Sequence, residues 1–224
     1  MKIVKNTCTR FLKVIAVLTA FGGFSGQLAV AQQAADEAIA YRPHNPTAPA
    51  ATVGGSIRGA DNTLALTILA PPTLAATAAV SPTIYWHLSE PTELPVELVL
   101  IEEGGETALA QTVLNDPLTA GVHSFTVPQD SPLKPGTVYQ FSVAVVADPD
   151  IRSNDVFAST LLTFNPMKSP PAQASAATNA RRYAAAGAWY DALHSLRGSD
   201  SAEAKQLWSA MLKQANLDHT LKES

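Results

Sequence analysis

The 224-residue chain has one cysteine, Cys8, and only 15% of its residues are charged. Because Cys8 lies in a leader expected to be removed, the mature chain holds no thiol. That excludes disulfides, thiolate metal sites, a cysteine nucleophile and lipid attachment through a mature cysteine. Basic side chains number 15 against 19 acidic ones, so a basic stripe able to track nucleic-acid phosphates is missing. Catalytic signatures are missing too. In Gly54-Gly55-Ser56-Ile57-Arg58-Gly59 no Lys-Ser or Lys-Thr follows to make a phosphate loop, and Arg58 stands where a nucleophile elbow needs its second glycine. The five histidines, at 44, 87, 123, 194 and 219, show no ligand spacing, and neither a metal nor another cofactor is expected. Beyond residue 31 no apolar run approaches the ~18 residues that a membrane helix needs.

The first 31 residues read as a secretory signal peptide. Lys2, Lys5, Arg10 and Lys13 precede an apolar run from Val14 to Phe24, and Ala29-Val30-Ala31 fits a cleavage site. The expected location is therefore the periplasm or the outside of the cell. Residues 32–52, with Pro43, Pro46 and Pro49 among alanines and polar residues, read as an extended arm with little to bury.

Residues 53–166 carry short apolar segments with a period of two, each bounded by turn residues. Leu64, Leu66 and Ile68 share one face, as do Ile84, Trp86 and Leu88, then Val96, Leu98 and Leu100. Phe125 with Val127, the run Tyr139 to Val145, and Val156 to Phe164 continue the pattern, and Glu102-Glu103-Gly104-Gly105 reads as a hairpin turn before a return strand. Seven such strands predict an antiparallel β-sandwich of immunoglobulin or fibronectin type. The segment Leu133-Lys134-Pro135-Gly136-Thr137-Val138-Tyr139 resembles the approach to the penultimate strand of fibronectin type III domains, which implies that the Tyr139 hydroxyl caps a corner. Trp86 is the matching core aromatic.

A linker over 167–177, containing Pro170-Pro171, separates this region from an alanine-rich helical tail over 178–217. Ala180, Tyr183, Gly187, Trp189, Ala192 and Leu196 have spacings that resemble one tetratricopeptide helical hairpin. A further helix, roughly 202–216, carries Leu207, Trp208, Met211, Leu212 and Ala215 on one stripe, with Asp200 or Ser201 as its cap. One repeat unit cannot bury its own core, so the hairpin must be covered by the third helix, the sandwich or a partner. The overall fold class expected is α+β.

The set Gly55-Ser56-Ile57-Arg58-Gly59, Leu66 to Pro72, Ser81 to Trp86, Pro95 to Leu100, Asp148 to Ser153 and Ala188 to Leu193 resembles the bacterial family known as domain of unknown function 928, exported proteins common in cyanobacteria. The resemblance implies export and this layout, and it brings no activity, ligand or catalytic residue. It also implies a cysteine after the Arg-Gly pair and another before the Asp-Pro-Asp run. Ala60 or Asp61 and Ala147 occupy those places here, so the strand faces hold the domain without a cross-link.

The best functional segment is Asp148-Pro149-Asp150-Ile151-Arg152-Ser153-Asn154-Asp155, expected in the loop between the last two strands, where sandwich domains often place binding contacts. Its oxygens suit either a hard cation or, with more weight, a turn in which Arg152 pairs with a neighbouring carboxylate. Asp191 and His194, one helical turn apart, read as a surface pair. Residues 51–166 hold 12 acidic and 3 basic groups, and 167–224 hold 5 acidic and 7 basic, so attraction between sandwich and tail is one reading of the difference. Together these features lead to the expectation of an exported, non-catalytic binding or scaffold module that contacts another envelope protein. The residues expected to carry that contact are Asp148, Asp150, Arg152, Asn154 and Asp155 in the loop, with Trp189, Trp208 and Met211 in the tail. The alternative is an envelope hydrolase acting on a polysaccharide or ester through loop carboxylates.

Overall fold

A computed structural model describes residues 38–45, 55–56, 64–168 and 173–217. The leader, the rest of the arm and Arg58 to Asp61 lie outside the described residues. Nine strands form two sheets: β1 (Gly55–Ser56), β2 (Ala65–Ile68), β3 (Ala75–Thr77), β4 (Thr83–Leu88), β5 (Val96–Glu102), β6 (Ala108–Leu114), β7 (Gly121–Thr126), β8 (Val138–Val145) and β9 (Val156–Phe164). One sheet runs β1-β2-β4-β7 and the other β3-β9-β8-β5-β6. Every pairing is antiparallel except β3 with β9, which sets Ala75 opposite Leu162. Helices α1 (Ala176–Ala185), α2 (Trp189–Arg197) and α3 (Ala202–Gln214) follow. The chain is α+β, a mostly antiparallel β region with three helices after it.

The period-two segments form the strands because alternation places every second side chain in one core. In β5, Val96, Leu98 and Leu100 are buried while the residues between them are not. Phe125 on β7 stacks on Phe141 on β8 at 5.3 Å, so the two sheets meet across that core. Trp86, on the interior strand β4, is fully buried, and its ring stacks on His123 of the neighbouring strand at 4.7 Å. The Tyr139 hydroxyl accepts the amide of Lys134 at 2.8 Å and closes the corner before β8. Gly136 in that corner has φ +74, a conformation that a side chain disfavours, and its amide reaches Phe164 O.

Two features depart from the sequence expectation. Strand β4 is buried on both faces: Ile84, Trp86 and Leu88 point into the core, and Tyr85 and His87 are covered on the other side. Tyr85 meets the Trp208 ring edge-on at 5.6 Å and bonds His194, so the helices cover the outer side of this strand. The arm also has something to bury. Ile39 is in the core, Arg42 N donates to Ala184 O on α1, and Gln214 on α3 both accepts from Tyr41 N and donates to Ile39 O. Residues 38–45 thus lie along the helical hairpin. Gly187, between α1 and α2, has φ +72, and a Cβ there would come within 2.7 Å of Arg42 O, so arm and turn fit only through glycine.

The helices begin and end on local signals. Ser175 Oγ accepts Thr178 N, which starts α1 two residues ahead of the expected tail boundary. Ser201 Oγ accepts Ala204 N and caps α3. Leu207, Met211, Leu212 and Ala215 of the expected stripe are buried, whereas Trp208 stands at its margin and stays partly exposed.

Candidate functional site

The 148–155 loop joins β8 to β9, as its sequence position suggested, and one 3-10 turn, Arg152–Asn154, occupies its centre. The Asp148 carboxylate accepts the Asp150 amide at 2.8 Å, a local turn that proline at 149 favours. Arg152 extends a two-pronged contact. Its Nη2 reaches Glu97 Oε2 on β5 at 2.6 Å, and its Nε reaches Asp155 Oδ2 at 2.6 Å. The other Asp155 oxygen accepts Ala147 N, which anchors the far side of the loop. The hydrogen bond from Arg152 holds the Glu97 carboxyl below its usual range, and Gln111 adds a second donor. A carboxylate so held stays ionised, which suits a structural anchor and not a general acid. Asp150 and Asn154 are exposed. Among the described residues no group of three or more His, Cys, Asp or Glu side chains is placed to hold a metal ion.

Two hollows share Glu97 and Arg152. One, of about 350 Å³, is lined by Leu94, Val113 and Pro149 among others; the second, of about 250 Å³, is lined by Val99, Ser142 and Phe157. Five large apolar side chains are exposed among the described residues: Val80, Leu94, Val113, Ile151 and Phe157. Three of them line these hollows, and Ile151 precedes Arg152 directly.

The tail residues separate from this place. Trp189 is fully buried at the start of α2, where its Nε1 donates to Leu69 O at 2.8 Å and Tyr41 packs edge-on against its ring at 4.9 Å. Met211 is also fully buried. Neither offers surface to a partner: Trp189 closes the seam between α2, the arm and the β layers, and Met211 lies in the buried core. Trp208 alone of the three expected tail residues presents surface. The Arg197 guanidinium lies 5.8 Å from its ring centre, and both line a hollow of about 210 Å³ with Lys205.

Asp191 and His194 do not form the expected surface pair. Each reaches from α2 to the β layers instead. Asp191 Oδ2 accepts both Thr77 Oγ1 at 3.0 Å and Ala78 N at 2.7 Å, and His194 Nδ1 bonds the Tyr85 hydroxyl at 3.0 Å. Burial pushes the Asp191 carboxyl above its usual range, opposed by the Ala78 and Thr77 hydrogen bonds. The named ion pairs stay within each half, Arg152 with Glu97 and Asp155 in the β layers and Arg181 with Glu203 in the helices. Shape, hydrogen bonds and ring contacts therefore join tail to β region at the seam described. The helical signal had placed Asp191 and Tyr183 correctly on their helices, but nothing local to them reveals Thr77 as a partner 114 positions away.

Two β sheets with a docked helical tail, a capped Arg152 loop and a buried seam define the protein as an α+β module. The chain belongs to the family described as domain of unknown function (DUF928), whose model matches residues 53–224. No curated protein matches it. Among the described residues no helix is long and apolar enough to cross a membrane.

Proposed function

We propose that the chain is an exported, non-catalytic binding module of the cell envelope whose contact surface for another protein is the face centred on Arg152. The observation that carries this reading is the gathering of Leu94, Val113, Ile151 and Phe157 around one half-exposed guanidinium. Interface energy concentrates in arginine and aromatic side chains ringed by apolar neighbours, and four of the five large apolar residues exposed among the described residues lie at this one place. Asp148, Asp150, Asn154 and Asp155 shape the rim, with Asp155 orienting Arg152. Trp208 is a separate, smaller contact. The hydrolase alternative has less support, because Glu97 is held ionised and Asp191 lines its cavity with no second carboxylate.

The finer architecture proposed with this role is an immunoglobulin- or fibronectin-like sandwich bearing a tetratricopeptide-like hairpin. The β2-β4-β7 layer against β9-β8-β5-β6, the parallel β3-β9 pair and the Tyr139 corner all favour it.

The test is capture from the host's envelope extract by the immobilised protein, by Arg152→Ala and by Phe157→Ala, with bound proteins identified by mass spectrometry and folding followed by circular dichroism. Loss of about 1 to 2 kcal/mol of binding, roughly five- to thirtyfold, is expected for either variant. Full capture by both folded variants would remove this face from the binding account.

A further inference from the structure

A fourth cavity, of about 250 Å³, lies where the β3-β4 connection meets α1 and α2. Ser81, Thr83, Tyr183, Tyr190, Asp191, His194 and Ser195 supply its polar lining, and no lysine or arginine contributes. Both hydrogen bonds that Asp191 accepts from other described residues go to Oδ2, and its own backbone amide is a further donor to the carboxylate. The serine hydroxyl hydrogens nearby are already committed: Ser81 Oγ donates to Val127 O, and Ser195 Oγ donates to Asp191 O at 2.8 Å. Those two oxygens present lone pairs only. The cavity thus offers the oxygens of Asp191, Ser81 and Ser195 as acceptors, and its donors are the Tyr183 and Tyr190 hydroxyls, the Thr83 hydroxyl, which meets Thr126, and one tautomer of His194, whose Nδ1 is taken by Tyr85.

We infer that this cavity binds a small molecule through a primary ammonium group, which the Asp191 carboxylate and the oxygens of Ser81 and Ser195 receive. An ammonium has three donors and no acceptor, the complement of the Asp191, Ser81 and Ser195 oxygens. No lysine or arginine lines the cavity to receive an anionic group. A half-buried carboxylate with no lysine or arginine beside it gains from a ligand that brings a cation; burial pushes Asp191 above its usual range, opposed by its hydrogen bonds and by the charge of His194. The volume is below the usual range for drug-sized ligands, which limits the site to a molecule of about one ring. This site is independent of the Arg152 face.

The test is isothermal titration calorimetry of the full-length chain with four probes: glucosamine and cadaverine, which carry a primary ammonium, and glucose and N-acetylglucosamine, which do not. Binding of glucosamine alone identifies an amino sugar as the source of the ammonium; binding of cadaverine, with or without glucosamine, identifies the bare amine as sufficient. Asp191→Asn keeps an acceptor for Thr77 and Ala78 but loses the charge, and at least about a tenfold loss of affinity is expected. Ala79→Leu fills the cavity without touching the Asp191 bonds, so it abolishes binding even if the Asn variant fails to fold. Equal heats from the neutral and charged probes, no binding by either amine, or full affinity in the Ala79→Leu variant would overturn the inference.

Discussion

The Arg152 face and the Asp191 seam treat their carboxylates in opposite ways. At the face, Glu97 and Asp155 share one guanidinium, and the cation that neutralises them is itself half exposed. At the seam, Asp191 is half-buried against a threonine hydroxyl and a backbone amide with no lysine or arginine in its cavity. A paired charge at the surface can turn toward a partner without a large desolvation penalty, while a buried one must be held by the fold or met by a ligand. The difference teaches where each region spends its polar groups. The face keeps its loop rigid and leaves apolar side chains uncovered; the seam uses hydrogen bonds to fix the helices on the β layers.

The largest expected contrast comes from truncating one aromatic in each region. Trp189→Ala empties a fully buried site and orphans Leu69 O, so a loss of about 3 to 5 kcal/mol is expected, comparable with much of a domain's stability. Phe157→Ala, at a side chain left 39% exposed, is expected to change stability by about 1 kcal/mol or less. Urea unfolding followed by tryptophan fluorescence and circular dichroism measures both. Equal losses would mean that the face is as much a part of the core as the seam, and the comparison would fail.

A smaller effect separates the regions by pH. Glu97 is held below its ordinary range, so its contribution to stability is present above the ordinary carboxylate pKa and is lost as pH falls through its lower folded value. Asp191 is pushed above its ordinary range, so the fold favours its neutral form; that contribution is full below the ordinary pKa and is lost as pH rises through the folded value. Unfolding free energies of Glu97→Gln and Asp191→Asn against the parent, taken from strongly acidic to neutral pH, should therefore diverge in opposite senses, the Glu97 change lying below the ordinary carboxylate pKa and the Asp191 change above it. Toward neutral pH the Gln variant falls further below the parent, by less than ~1 kcal/mol because its arginine partner is exposed, while the Asn variant gains on it. Parallel curves would contradict the assignment of the two environments.

Much of this was legible in the sequence, and the rest was not for identifiable reasons. Alternation marked β4, β5, β8 and β9 because one buried face suffices to set a period of two. Tyr139 was legible because the corner is local, with Lys134 only five residues away. Strand β3, Ala75-Ala76-Thr77, has neither length nor alternation, and it exists through a parallel pairing with β9 more than eighty residues later. Proline content made the arm read as uncovered, although Ile39, Tyr41 and Arg42 dock on helices far along the chain. Trp189 and Met211 showed a helical apolar stripe, and a stripe does not say whether its cover is the same chain or another. Here the arm and the β layers provide it for Trp189. The Arg152 loop was found by its composition and place, whereas its apolar surround, Leu94, Val113 and Phe157, comes from three separate strands or connections and has no linear signal.

The most direct measurement on the central proposal is site-specific photo-crosslinking in the native envelope. A photoreactive phenylalanine analogue placed at Val113 or at Phe157, beside Arg152, is expected to give a discrete adduct of higher mass with one envelope protein, and Arg152→Ala is expected to weaken it. The same group at Asp130, exposed in the connection before β8 and so at the opposite end of that strand from the loop, serves as the reference. Adducts at Val113 and Phe157 but not at Asp130 agree with a partner seated on the Arg152 face; no adduct at either, or an equal one at Asp130, contradicts it.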